Sequence, residues 1–138
     1  MSTVLFVCHQ NAGRSQMSQA LFEAASERHQ ALSAGTNPAN RVHPKVIQVM
    51  MELGIDLAEK TPTRLTHEIA QRADVVITMG CADECPVIPG KQYIDWDLPD
   101  PANQPIDTVR IIRDEIAQRI RTLLAELDAA PPDPLGKG

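Results

Sequence analysis

Apolar positions along this chain follow two rhythms. Thr3–Val7 (TVLFV) and Asp74–Thr78 (DVVIT) are short runs that lack a polar face, as central parallel strands covered on both sides do. Ala31–Gly35 reads as another strand and Gln92–Trp96 as a weaker fourth. Elsewhere apolar residues recur three and four apart. Met17, Ala20, Leu21, Ala24 and Ala25 predict a helix from Ser15 to about His29. Val46, Ile47, Val49, Met50 and Leu53 predict a second, opened by Pro44 and stopped by Gly54. Leu65 to Gln71 fits a short helix. From Pro105 to Leu127 the positions Val109, Ile112, Ile116, Ile120, Leu123 and Leu127 mark a long amphipathic one. Strands alternating with helices predict an α/β domain over residues 1–128, a parallel sheet with right-handed crossovers and helices on both faces. The tail 129–138, AAPPDPLGKG, has no periodicity and reads as disordered.

Composition narrows the classes of function. With 138 residues the chain has room for one domain and a real core. A formal charge of −5 argues against nucleic acid or an anionic membrane as partner, and 3% aromatic residues argue against a stacking platform for single strands. The leading apolar run, VLFV, is too short for a signal peptide or a membrane span, which predicts a cytoplasmic protein. Three cysteines, an odd number, do not suit a secreted disulfide framework. In a reducing compartment each is a buried small hydrophobe or a reactive thiol.

Cys8 stands at the carboxyl end of the first strand, the edge where open α/β sheets bind ligands. His9, Gln10, Asn11, Ala12 and Gly13 then form a loop that leads through Arg14 and Ser15 into a helix. Backbone N–H groups in such a turn make an anion-binding concavity, aided by the helix dipole. Gly13 allows positive φ and close backbone approach, and Asn11 is the residue type that best tolerates left-handed geometry after glycine. The same field favours the thiolate of Cys8. Arg14 adds a planar fork for two oxygens of an oxyanion. Ser15 either donates to the thiolate or caps the helix. The G-x-x-x-x-G-K-[ST] nucleotide loop is absent.

These residues carry a resemblance. VCHQNAGRSQM is similar to the active-site loop of the low-molecular-weight protein tyrosine phosphatase fold, and its NxxRSQM ending resembles the arsenate reductase branch. SAGT (Ser33–Thr36) and DWDLPDPA (Asp95–Ala102) are similar to further family segments, so the likeness runs to about Leu127. It implies a four-stranded parallel sheet flanked by helices, Cys8 as nucleophile, and Asp100, the carboxyl before the proline of the D-P pair, as general acid. Asp97, its neighbour in WDLPDP, has no such support. Ala102 stands where the phosphatase branch carries a tyrosine.

Reducing arsenate takes two electrons, and thiols must supply them. Cys81 and Cys85 lie in MGCADECPVIPG, directly after DVVIT and hence at the same sheet edge as Cys8. Zinc would want further ligands that the sequence does not assign. The resemblance implies a relay in which Cys81 attacks Cys8 and Cys85 attacks Cys81, with thioredoxin as reductant. The two outer cysteines usually lie further apart, which leaves open attack on arsenylated Cys8 by a small thiol such as mycothiol or glutathione, with a mycoredoxin-type partner. Some relatives bind potassium beside the loop through acidic residues; the matching positions hold Gln19 and Thr63, which predicts no required metal or other cation, with Asn11 and Ser33 bracing the loop instead. No bound cofactor is expected. Phosphate and sulfate are expected to compete for the cradle. His9 either tunes Cys8 or fills solvent space, and His29, His43 and His67 read as helix-end or surface residues. Behind arsenate reduction stand a thiol-dependent arsenate transferase, a tyrosine phosphatase, and a module that binds phosphate without turnover.

Overall fold

A computed structural model describes residues 1–80 and 91–129. Within it Val4, Phe6 and Cys8 join one apolar layer, and Leu5 and Val7 join another on the opposite side of the sheet. This two-sided burial is why the first strand has no polar face. The elements run β1 (Thr3–Cys8), α1 (Arg14–Ala25), β2 (Gln30–Gly35), α2 (Pro44–Met51), α3 (His67–Arg72), β3 (Val75–Met79), β4 (Gln92–Asp95) and α4 (Ile106–Ala129). The four strands form one sheet in the order β2-β1-β3-β4, and every pairing is parallel. β1 is therefore central, and its register sets Cys8 level with Gly35 on one side and Met79 on the other.

The larger layer packs Met17, Leu21 and Phe22 of α1 and Val46, Val49 and Met50 of α2 against Val109, Ile112, Ile116 and Ile120 of α4. Phe6 lies 5.8 Å from both Phe22 and Trp96 in centroid separation. The smaller layer gathers Ala70, Ala73 and Val76 over Leu5 and Val7. Removing a buried ring such as Phe6 or Phe22 typically costs ~3–5 kcal/mol, because the cavity adds to the lost transfer energy.

Three expectations need correction. The first helix stops at Ala25 rather than near His29. Ser26 is extended, and its Oγ accepts from the N–H groups of Arg28 and His29, both at 3.3 Å, a local alternative to further helical bonds. His29 is not a surface residue: its ring is buried against Phe22. His29 Nδ1 accepts from the Ser2 N–H at 3.0 Å, and Nε2 sits 2.8 Å from Asp128 Oδ1. Leu53 does not join the core, because α2 ends at Met51 and Leu53 falls in the exposed turn after it. α4 runs on to Ala129, and residues 130–138 of the expected tail lie outside the described residues.

α2 and α4 are clasped by charge as well as by apolar contact. Arg113, buried, donates through Nη1 to the Val49 carbonyl and to Glu52 Oε1, each at 2.8 Å. It thereby satisfies a carbonyl in the last turn of α2. Arg110 donates to the same carboxylate through Nε and Nη2, at 2.8–3.1 Å. The two guanidiniums hold Glu52 down from an ordinary 4.5 to about 2. A folded value below the unfolded one means the clasp stabilises fully above about pH 4.5 and is lost as pH falls toward about 2. Glu52→Gln is therefore expected to lower the thermal midpoint at neutral pH and to make no difference near pH 2. Thermal unfolding of both proteins across that range is the check; a gap that does not narrow on acidification rules the charge out as the clasp.

Candidate active site

Segment 36–43, which follows β2, supplies donors to the outward carbonyls of the loop after β1. The carbonyls of Cys8, His9, Gln10 and Ala12 accept from the N–H groups of Thr36, Asn37, Ala39 and His43 at 2.8–3.2 Å. In a planar trans peptide the N–H points opposite to the carbonyl. With these carbonyls turned toward 36–43, the N–H groups of His9, Gln10, Asn11 and Gly13 face the other way, into the concavity. The one directly seen is Asn11 N–H, which donates to Cys8 Sγ at 3.3 Å. Gly35 permits this docking. A Cβ there would stand 2.8 Å from both Asn11 N and His9 O, so SAGT needs glycine at its third place.

Cys8 is a free cysteine, 2% exposed at the floor of the loop. Ser15 Oγ is 2.9 Å from its sulfur. Asn11 settles which way that proton lies. Its Oδ1 accepts from the backbone N–H of Thr63 at 2.8 Å and from Gln16 Nε2 at 3.1 Å, so its Nδ2 is the atom that donates to Ser15 Oγ, at 2.7 Å. With Ser15 accepting from Asn11, its own hydrogen is left for the sulfur. Asn11, Ser15, Gln16 and Cys8 are all buried, so their bonds act in a low-dielectric setting. Asn11 has φ 50, the left-handed region.

Arg14, 8% exposed, opens α1. Its Nη1 donates to the Leu98 carbonyl at 3.1 Å, and its Nη2 lies 3.6 Å from Asp100 Oδ2. The loop carrying Asp100 is fixed by alternation: Trp96, Leu98 and Pro101 are buried while Asp97, Pro99 and Asp100 are exposed. The Ala102 N–H donates to Asp100 Oδ1 at 2.9 Å. Asp97 is exposed, with no described contact to Arg14. A residue that the sequence pattern did not single out completes the arrangement. Gly80, at φ 81 directly after β3, would place a Cβ 2.5 Å from Arg14 Nη1. Glycine there is needed twice over, for the left-handed backbone and for the guanidinium passing above it. The available signal was a glycine closing DVVITMG at the ligand edge of the sheet.

Other expectations divide. Gly13 does not take positive φ; its φ is −141. Its value is space, since a Cβ would meet Pro101 Cγ at 2.6 Å. Ser15 is not the helix cap, which is Gly13, with no side-chain bond. His9 Nδ1 is 3.3 Å from Thr36 Oγ1. Gln10 is half-buried and Ala12 fully buried. Ser33 donates to Gln19 Oε1 at 2.6 Å, behind the loop. Cys81 and Cys85 lie outside the described residues. Among the described residues no three His, Cys, Asp or Glu side chains gather into a metal site, and no helix is long and apolar enough to cross a membrane.

The arrangement presents a tetrahedral oxyanion with inward N–H groups, a guanidinium, a thiol carrying two donors, and a carboxyl beside the guanidinium. Comparison with known proteins agrees with that chemistry. A protein of Halobacterium salinarum is 43% identical over 129 residues, spanning 89% of this chain and 91% of its own. The glutaredoxin arsenate reductase of Synechocystis is 32% identical over 130 residues, covering 92% of this chain and 99% of its own. The structure of the Corynebacterium glutamicum thioredoxin-dependent arsenate reductase superposes with a TM-score of 0.79 at 38% identity over 95% of this chain, which spans 63% of that protein's length. Residues 3–132 match the model of the low molecular weight phosphotyrosine protein phosphatases, and the chain belongs to that family.

Proposed function

We propose that this protein reduces arsenate to arsenite in the cytoplasm, using Cys8 as nucleophile and thiols as the electron source. The observation that carries the reading is the buried Asn11–Ser15–Cys8 chain of hydrogen bonds at the floor of a loop with four carbonyls tied outward. The two named arsenate reductases among its relatives support the choice of oxyanion. The cradle N–H groups and Arg14 bind arsenate, with phosphate and sulfate as competitors. The Cys8 thiolate attacks arsenic, and Asp100 protonates the hydroxide that leaves as water. Cys81 then attacks the Cys8 sulfur. The S–As bond breaks, its electron pair stays on arsenic, and arsenite departs as a Cys8–Cys81 disulfide forms. Cys85 attacks Cys81 and releases Cys8, leaving a Cys81–Cys85 disulfide for a thioredoxin-type dithiol. The register supports this route, since Cys8 is level with Met79, two positions before Cys81. No cation is required: Gln19 and the Thr63 N–H hold Ser33 and Asn11 by neutral hydrogen bonds.

A second reading is favoured by the close spacing of Cys81 and Cys85 and by the glutaredoxin-named relative. In it a small thiol such as glutathione or mycothiol attacks arsenylated Cys8 from solution, and a glutaredoxin- or mycoredoxin-type partner finishes the reduction.

Arsenite production with thioredoxin and its reductase, then with each small thiol, separates the two. Cys8→Ser is expected to abolish activity in both assays, and residual turnover above a few per cent removes Cys8 as nucleophile. Under the relay, Cys85→Ser gives one turnover and stalls as a Cys8–Cys81 disulfide visible by mass spectrometry. Cys81→Ser stops earlier, before an internal thiol can release arsenite. If both variants keep wild-type steady-state rates with thioredoxin, the relay is wrong.

Asp100→Asn is expected to lower kcat by ~10²–10⁴-fold, the usual worth of general acid catalysis. Asp97→Asn, whose carboxyl has no described contact with Arg14, is expected to change kcat by less than about threefold, since surface changes of this kind are small. Steady-state rates at saturating arsenate decide between them, and a reversed order moves the acid to Asp97.

A further inference from the structure

Behind the Cys8 loop lies a second cleft, separate from the oxyanion cradle, with a volume of about 230 Å³. Gln16, Gln19, Ser33 and Thr63 supply neutral hydrogen-bonding edges, and among the described residues Lys60 and Arg72 supply the only charges in its lining, with no carboxylate. Most other cationic side chains of the described chain have found an acceptor: Lys45 on the Gln104 carbonyl, Lys91 on the Gln71 carbonyl, Arg110 and Arg113 on Glu52. The side chains of Lys60 and Arg72 have no hydrogen bond or ion pair to any described residue. Two unpaired cations facing one polar cleft repel each other, and a shared anion would relieve that repulsion. Gln16 and Gln19 each spend one amide hydrogen within the fold, on Asn11 Oδ1 and the Ala31 carbonyl, and have a second to give an oxyanion, whereas the Ser33 hydroxyl already donates to Gln19 Oε1.

We propose that this cleft is a second oxyanion site, taking a small tetrahedral dianion such as sulfate or phosphate between Lys60 and Arg72. The site touches the catalytic loop from behind. Gln16 Nε2 and Thr63 N–H are the two donors that fix Asn11 Oδ1, and Asn11 in turn holds Ser15 on the Cys8 sulfur. Gln16 has a second amide hydrogen with which to reach an anion while keeping its bond to Asn11. An occupant would therefore order both braces of Asn11 at once. The binding claim holds whether or not arsenate is the substrate, so its failure and the failure of the reductase reading are separate results.

The test is calorimetric titration of the full chain with sodium sulfate, at ionic strength held constant with sodium gluconate. Wild type is expected to bind two sulfates per chain. The Lys60→Gln/Arg72→Gln double variant, altered only at exposed side chains, is expected to keep one site and lose affinity at the other about tenfold or more, each charge-assisted contact being among the stronger hydrogen bonds. Amide spectra supply a second readout. The Thr63 backbone and Gln16 side-chain signals should shift saturably with sulfate in wild type; that second-site shift should vanish in the double variant. One sulfate per wild-type chain, two unaltered sites in the double variant, or a non-saturating response each overturns the proposal. So does a saturable shift of the same signals when potassium replaces sodium without sulfate, which would make the occupant a cation.

Discussion

The site depends on where four carbonyls point. Cys8, His9, Gln10 and Ala12 give their oxygens to the N–H groups of segment 36–43. Were those oxygens turned inward, the concavity would repel any oxyanion. The constraint propagates outward through the fold. It requires β2 beside β1 in register, so that Gly35 is level with Cys8, and it requires glycine at that level, because the loop backbone passes within 2.8 Å of where a Cβ would be. It also explains why Asn11 can be left-handed at φ 50. Its side chain is held by Thr63 and Gln16, whose contacts offset the cost of that backbone.

Much of this was legible in the residues. β1 and β3 announce themselves because both of their faces are buried, and α4 because its apolar stripe is long and unbroken. Cys8, Asn11, Arg14 and Ser15 were readable because a loop between a buried strand and a helix has few uses for that set. What escaped was set by contacts that the apolar pattern does not carry, one local and the rest tertiary. The end of α1 depends on a Ser26 hydroxyl competing with the helix. The burial of His29 depends on an Asp near the far end of the chain. Residue type leaves both Gly13 and Asn11 open to positive φ; the left-handed turn falls on Asn11, and Gly13 is small for the sake of Pro101. Gly80 was invisible because its reason, the path of the Arg14 guanidinium, belongs to a residue from a different strand–helix connection.

The loop that carries Asp100 shows how a short sequence can aim a carboxyl. Trp96 and Leu98 are buried on alternate positions, which turns Asp97 outward. Pro99 then stiffens the next step, and Pro101 packs against Gly13. Asp100 is thus held between two anchored residues with its carboxylate near Arg14 and tied to the Ala102 N–H. Leu98 serves both ends of this arrangement, since its side chain fills the core while its carbonyl fixes Arg14 Nη1. The guanidinium and the acid are therefore positioned by one segment, and neither can shift without disturbing the other.

A chain with a formal charge of −5 is an unlikely-looking host for a dianion until the source of the attraction is counted. The cradle is made largely of backbone dipoles, which carry no net charge and do not titrate. Among the described residues Arg14 is the one full cation built into it, and it is buried, where screening by salt is weak. Carboxylates such as Asp107 and Asp114 are occupied with arginines on α4, and Glu52 is neutralised by two of them. The acidic surplus is thus kept in pairs or in solvent, and the local field at the end of β1 is set by peptide groups whose orientation the fold dictates. That is why a candidate anion site is read from a strand, a loop and an arginine, and not from the sum of charges.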